Sequence, residues 1–87
     1  MARYRVYIKR SAAKELEGVA QKSDRQRLTV RIQRLAGQPR PPGCEKLAGY
    51  EDRIRVRQGD YRVVYSIDDA HQIVTIFKIG HRRDVYR

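Results

Sequence analysis

Charged and apolar residues alternate strictly from Arg53 to Arg57, Arg-Ile-Arg-Val-Arg, and alternation resumes from Tyr61 to Tyr65. A period of two belongs to half-buried strands. Gln58-Gly59-Asp60 interrupts the pattern. A two-residue loop at Gly59-Asp60, with glycine first as a type II′ turn prefers, pairs Gln58 with Tyr61 and Arg57 with Arg62. In that register Arg53, Arg55, Arg57 and Arg62 share one face, while Ile54, Val56, Val63, Tyr65 and Ile67 face a core, with Tyr61 on their side.

The remaining chain reads as support for this hairpin. Arg3 to Ile8 alternates as a first strand, with Tyr4, Val6 and Ile8 on one side. Ser11 offers an N-cap to a helix over Ala12 to Ala20, whose apolar stripe is Ala12, Leu16 and Val19 or Ala20. Lys22-Ser23-Asp24 supplies a break and a new cap, and Leu28, Ile32 and Leu35 mark a second helix ending near Gly37, with Val30 off the stripe. Gln38 to Gly43 holds all three prolines and reads as an extended connector, after which Leu47 anchors a loop to the core. Asp68 and Asp69 read as turn formers ahead of Ile73 to Ile79, a nearly continuous apolar run that predicts an interior strand buried on both faces. The order predicts a single α+β domain over residues 1–87, β-α-α-β-β-β. Its sheet is four-stranded and mostly antiparallel, both helices lie on one face, and a short C-terminal segment sits at the edge of the site.

Charge changes the picture more than hydropathy does. At 87 residues the chain supports one modest core, and its 20 Lys and Arg against 10 acidic residues give +10, with 15 of the 20 cations being Arg. Arginine's planar fork suits phosphate, so the balance favours an anionic partner. Like charges opposite one another in a sheet repel, so the Arg53–Arg62 ladder is either a solvated face or a place for an anion. Arg27, Arg31 and Arg34 recur at i, i+4 and i+7 along the second helix, either a second docking surface for phosphates or a solvated helix face. One cysteine, Cys44, excludes an internal disulfide, fits a reducing cytoplasm and is expected to be partly buried; no apolar run approaches 18 residues, so a membrane span is not expected.

The site chemistry is narrowed by what is missing. There is no carboxylate cluster for Mg²⁺, no Cys/His zinc spacing, no Gly-rich phosphate loop and no nucleophile elbow, so no metal or cofactor is expected. Metal-free attack of a ribose 2′-OH on its neighbouring phosphodiester remains, requiring an acid, a base and cations around the phosphorane. Arginine supplies the cations but stays protonated. The groups able to exchange protons are Tyr86 and His81. The ion-rich segment from Gly80 to Arg87 is either a frayed tail or a functional one, in which Gly80 turns the chain at the end of the last strand and delivers His81, Arg82 and Tyr86 beside the ladder, with Arg83 as a further contact to RNA.

YEDRIRVRQGDYRVVYSIDD followed by IVTIFKIGHRRDVYR resembles the RelE family of bacterial toxins, within the RelE/ParE superfamily. The resemblance extends over essentially the whole chain, with GDYRVVY and the closing GHRRDVYR its most specific parts. It implies a ribosome-dependent endoribonuclease that cleaves mRNA in the decoding A site, leaving a 2′,3′-cyclic phosphate and a 5′-hydroxyl. It also implies a cognate RelB-like antitoxin, with the 70S ribosome and mRNA as the other partners. By position, Arg53 and Arg55 stand where the family often has two functional lysines, Arg62 matches the arginine of its GYR motif, Arg82 the one after the strand-ending glycine, and Tyr86 the C-terminal tyrosine implicated as base. Arginine at both lysine positions keeps the charge but removes a group able to give up its proton, leaving proton transfer to Tyr86 and His81. The alternative is a ParE-like toxin of the same fold that inhibits DNA gyrase by binding. A non-enzymatic RNA-binding module is a further alternative, but such modules expose stacking aromatics, and Tyr61 and Tyr65 fall on the core side.

Overall fold

A computed structural model of the chain describes residues 3–50 and 52–82. Strand β1 (Arg5–Ile8) leads directly into α1 (Arg10–Glu17) and α2 (Lys22–Arg34), followed by β2 (Glu45–Lys46), β3 (Ile54–Gln58), β4 (Tyr61–Asp68) and β5 (Ile73–His81). One sheet runs in the order β1-β5-β4-β3-β2, antiparallel throughout except for β1 against β5. The α+β class and the four expected strands are present, and β2 adds a fifth at the edge. Two residues are too few for alternation to register in a sequence.

Ala12 and Val19 join Leu28, Ile32 and Leu35 of the second helical segment in one core with Val56, Val63, Tyr65, Val74, Ile76 and Ile79 from the sheet. Both helices therefore cover the same face. Leu16, Ile54 and Ile67 are partly buried against that cluster, as is Cys44. Val30, off the apolar stripe, is exposed. The first helix starts earlier than Ser11 predicts: Lys9 is its N-cap, with no side-chain capping bond. The Lys9 N–H is taken by the Ile76 carbonyl, so pairing of β1 hands the chain straight to the helix. In the same way α2 begins at Lys22 behind Gln21, ahead of the expected break.

The β3–β4 register is the expected one, with Gln58 opposite Tyr61 and Arg57 opposite Arg62. Gly59 takes φ +60°, while positive φ at non-glycine positions is confined to Gln72 among the described residues, so Asp60 completes a II′ turn. The pairing of β4 with β5 shifts at Val64/Tyr65: Val64 faces Lys78 but Tyr65 faces Ile76, leaving Phe77 as an extra residue. This bulge corrects the reading of the apolar run. Val74, Ile76 and Ile79 are buried in the core, spaced two and then three apart, whereas Ile73, Thr75 and Phe77 are only half-buried. The run is nearly continuous because the bulge skips a residue, not because both faces are sealed.

Pairing of β1 stops at Ile8 opposite Ile76, which leaves the end of β5 without a neighbour on that side. Glu15 of α1 closes the gap. Its carboxylate accepts the Ile79 N–H at 3.1 Å and pairs with Lys78 at 3.1 Å, so a helix side chain covers a strand edge. The proline connector is tied down twice. Tyr65 donates its hydroxyl to the Pro39 carbonyl at 2.7 Å, and burial raises its pKa. Arg40 forks onto Asp69, which also accepts from the Tyr4 hydroxyl at 2.6 Å.

Candidate nucleic-acid interface

The face of the sheet turned away from the helices carries the predicted arginines, but each is held differently. Arg57 is exposed. Its cross-strand partner Arg62 is buried, with 2% of its surface accessible, and its Nη1 donates to the carbonyls of Tyr61 at 3.1 Å and Gly59 at 3.5 Å. This corrects the expectation of four exposed arginines. The long side chain turns back along the hairpin and folds over its turn, where peptide oxygens take up its N–H groups.

Arg55 is 14% exposed at its side chain and in a 2.5 Å ion pair with Glu45, directly across from it on β2. The edge strand missed in the sequence thus delivers the counterion. Arg53 is 24% exposed at its side chain, bonds Asp52 at 2.7 Å and stacks on Phe77, its guanidinium carbon 3.6 Å from the ring centre. Lys9 sits 4.8 Å from the same ring, and the exposed Tyr50 lies 5.9 Å from Arg53. Arg82 is exposed, and its backbone N–H donates to the Asp60 carbonyl at 2.8 Å. That bond pins the chain beyond β5 against the β3–β4 turn, which brings Arg57, Arg62 and Arg82 to one end of the sheet.

His81 does not join them. It pairs with Tyr61 in the β4–β5 register, on the face that carries Val63 and Tyr65, and the two rings meet edge to face at 5.7 Å. Arg62 and Gly80, the next pair, take the arginine face. The expectation that Gly80 delivers His81 beside the ladder is therefore corrected: strand β5 continues through His81, and the period of two turns it away. Tyr86 and Arg83 lie outside the described residues.

Arg27, Arg31 and Arg34 line one groove of about 490 Å³ together with Ser23, Gln26 and Gln58. Arg27 and Arg34 are exposed, while Arg31 is half-buried and its Nε is buried without a hydrogen-bond partner. The stripe is thus one wall of a groove between α2 and the tip of the hairpin. Gln58 belongs to both, so the basic surface continues around that tip.

Three groups at this site escaped the pattern reading: Glu45, Asp52 and Phe77. Asp52 offered only its place next to Arg53, and Glu45 lies ten residues from Arg55, too far for a local signal. Phe77 stood inside the apolar run, and only the pairing of β5 with β4 shows it to be the residue skipped.

A family model described as the ParE toxin of the type II toxin–antitoxin system, parDE, matches residues 6–86. The chain belongs to the RelE/ParE family of type II toxins. Among relatives of this RelE/ParE toxin, Toxin RelE of Mycobacterium tuberculosis is 34% identical over 84 residues, spanning 97% of this chain and 87% of that one. Toxin RelG of the same organism is 52% identical over 46 residues, and the chain spans about half of it, 49% of that protein against 53% of this one. The crystal structure of the toxin–antitoxin complex RelBE2 from M. tuberculosis superimposes with a TM-score of 0.81 at 26% identity, covering 94% of each chain. Among the described residues no helix is long and apolar enough to cross a membrane.

Proposed function

We propose that this RelE/ParE toxin is a ribosome-dependent, metal-independent endoribonuclease that cleaves mRNA in the ribosomal A site. The 2′-oxygen attacks the adjacent phosphorus, the bond to the 5′-oxygen breaks, and a 2′,3′-cyclic phosphate and a 5′-hydroxyl result. The observation that carries this reading is the gathering of Arg57, Arg62 and Arg82 at one end of the sheet, whose outer face also holds Arg53 and Arg55, each of these last two already gripping a carboxylate. A guanidinium N–H that holds a carboxylate oxygen has the geometry to hold a phosphate oxygen in its place.

In this mechanism Tyr86 accepts the 2′-OH proton. Arg62 and Arg82 stabilise the charge that builds on the phosphorane, and Arg53 and Arg55 hold the backbone and the leaving group. His81, seated against Tyr61 on the other face, takes no part in proton transfer. Arg57, Arg83 and the groove of Arg27, Arg31 and Arg34 dock ribosomal RNA. A RelB-like antitoxin restrains the toxin in the cytoplasm, a partner supported by the RelBE2 complex among the similar structures.

The ParE description of the matching family model favours a second reading, binding and inhibition of DNA gyrase without nuclease chemistry. Primer extension on an mRNA undergoing translation in vitro, run beside a gyrase supercoiling assay, separates the two. Cleavage confined to ribosome-bound message is the expected result. Intact message with inhibited supercoiling would select the gyrase reading.

A further inference from the structure

Phe77 has no part in the roles above, yet two cations meet on its ring. Lys9 follows β1, on one side of β5, and Arg53 precedes β3, on the other, so they approach from opposite sides. The bulge that skips Phe77 is what removes it from the core and turns it toward Arg53. At 3.6 Å from the ring centre, the Arg53 guanidinium must lie face-on. With C–N bonds of about 1.3 Å, an edge-on fork would bring two nitrogens to roughly 3.0 Å from the ring, inside the ~3.5 Å of normal contact. Face-on stacking leaves the in-plane N–H groups available. One of them is bonded to Asp52 at 2.7 Å, which fixes the rotation of the fork on the ring.

We infer that Phe77 is a positioning residue for Arg53: its ring holds the guanidinium flat so that the remaining N–H edge is presented to a phosphate of single-stranded RNA. This rests on the ribonuclease reading. A lysine at position 53 has one charged nitrogen and no plane to lay on the ring, so the aromatic wall favours arginine. Burial of one guanidinium face also removes rotamers that a free arginine would give up on meeting its phosphate.

The test is a double-mutant cycle of Phe77→Leu and Arg53→Lys on single-turnover cleavage of mRNA in programmed ribosomes, with Phe77→Tyr as the conservative variant and circular dichroism confirming that each toxin is folded. Phe77→Leu should slow cleavage about tenfold. Phe77→Tyr should stay within about twofold of the wild type, because the ring is kept. Arg53→Lys should cost far less in the Phe77→Leu background than in the wild type, a coupling of about fivefold or more. Additive effects, or a Phe77→Tyr variant as slow as Phe77→Leu, would overturn the assignment while leaving the ribonuclease reading in place. A wild-type toxin that leaves ribosome-bound mRNA intact would instead overturn the ribonuclease reading. The same cycle is then read from affinity for a 2′-O-methyl RNA, where the same coupling supports the role of Phe77 and additivity removes it.

Discussion

Arg57 and Arg62 face each other directly across β3 and β4, yet one is in solvent and the other is buried. Arg62 folds back onto the carbonyls of Tyr61 and Gly59, whose partial negative charge offsets the repulsion of two like charges in register. A residue expected to act only on RNA is therefore also part of the fold. Arg62→Ala should lower the unfolding free energy by about 2 kcal/mol, since it empties a buried volume and removes hydrogen bonds to the turn carbonyls. Urea denaturation measures this, and an unchanged midpoint would show that the buried guanidinium adds nothing to stability.

Arg82 makes the opposite case. Arg82 is tied to Asp60 through its backbone, which any residue but proline retains. Arg82→Ala should leave the melting temperature unchanged, and Tyr86→Phe removes the proposed base. Each should slow single-turnover cleavage at least ~100-fold with ribosome binding nearly intact. Full activity in either variant would remove that residue from the mechanism.

Glu45 occupies the Arg55 fork with a carboxylate where RNA would place a phosphate. Glu45→Gln should raise affinity for programmed ribosomes by about twofold to fivefold at low salt, with the gain fading above the physiological range. Filter binding over a salt series reads this directly; equal or weaker binding would mean that Glu45 orients Arg55 instead of competing for it.

Glu15 serves the sheet edge. Glu15→Ala strands the Ile79 N–H and should cost about 1–2 kcal/mol, whereas Glu15→Gln keeps an acceptor oxygen and should cost less than half of that. Equal losses would assign the effect to the ion pair with Lys78 and not to the capped N–H. Amide exchange at Ile79, faster in the Ala variant than in the Gln variant, gives an independent readout.

Asp69 links the proline connector to the β4–β5 turn. Its hydrogen bonds from Arg40 and then Tyr4 hold its pKa at about 2, below the ~3.9 of an unfolded chain. A depressed folded value means that the stabilisation is fully present above about pH 4 and is lost as pH falls toward 2. Asp69→Asn should therefore melt below the wild type at pH 7, with the gap closing through that window and shrinking in high salt. Asp68, held down by its bonds from His71, fades in the same direction in both proteins and cancels in the comparison. A gap that persists at pH 2 would mean that the loss comes from packing.

Alternation placed Val56, Val63 and Tyr65 on one face, and the glycine-first turn at Gly59-Asp60 supplied the register that the β3–β4 hairpin adopts. The helical stripes likewise placed Leu28, Ile32 and Leu35 inside and Val30 outside. What the sequence could not settle was the fate of long side chains and of short or irregular strands. Register assigns Arg62 to a face but does not say that its flexible stem folds back to bury the guanidinium. A period that runs one residue further than expected turned His81 to the opposite face. The two-residue strand that gives Arg55 its counterion and the bulge that aims Phe77 at Arg53 both depend on which neighbours the folded sheet supplies. That is information about contacts distant in the chain, and no local pattern encodes it.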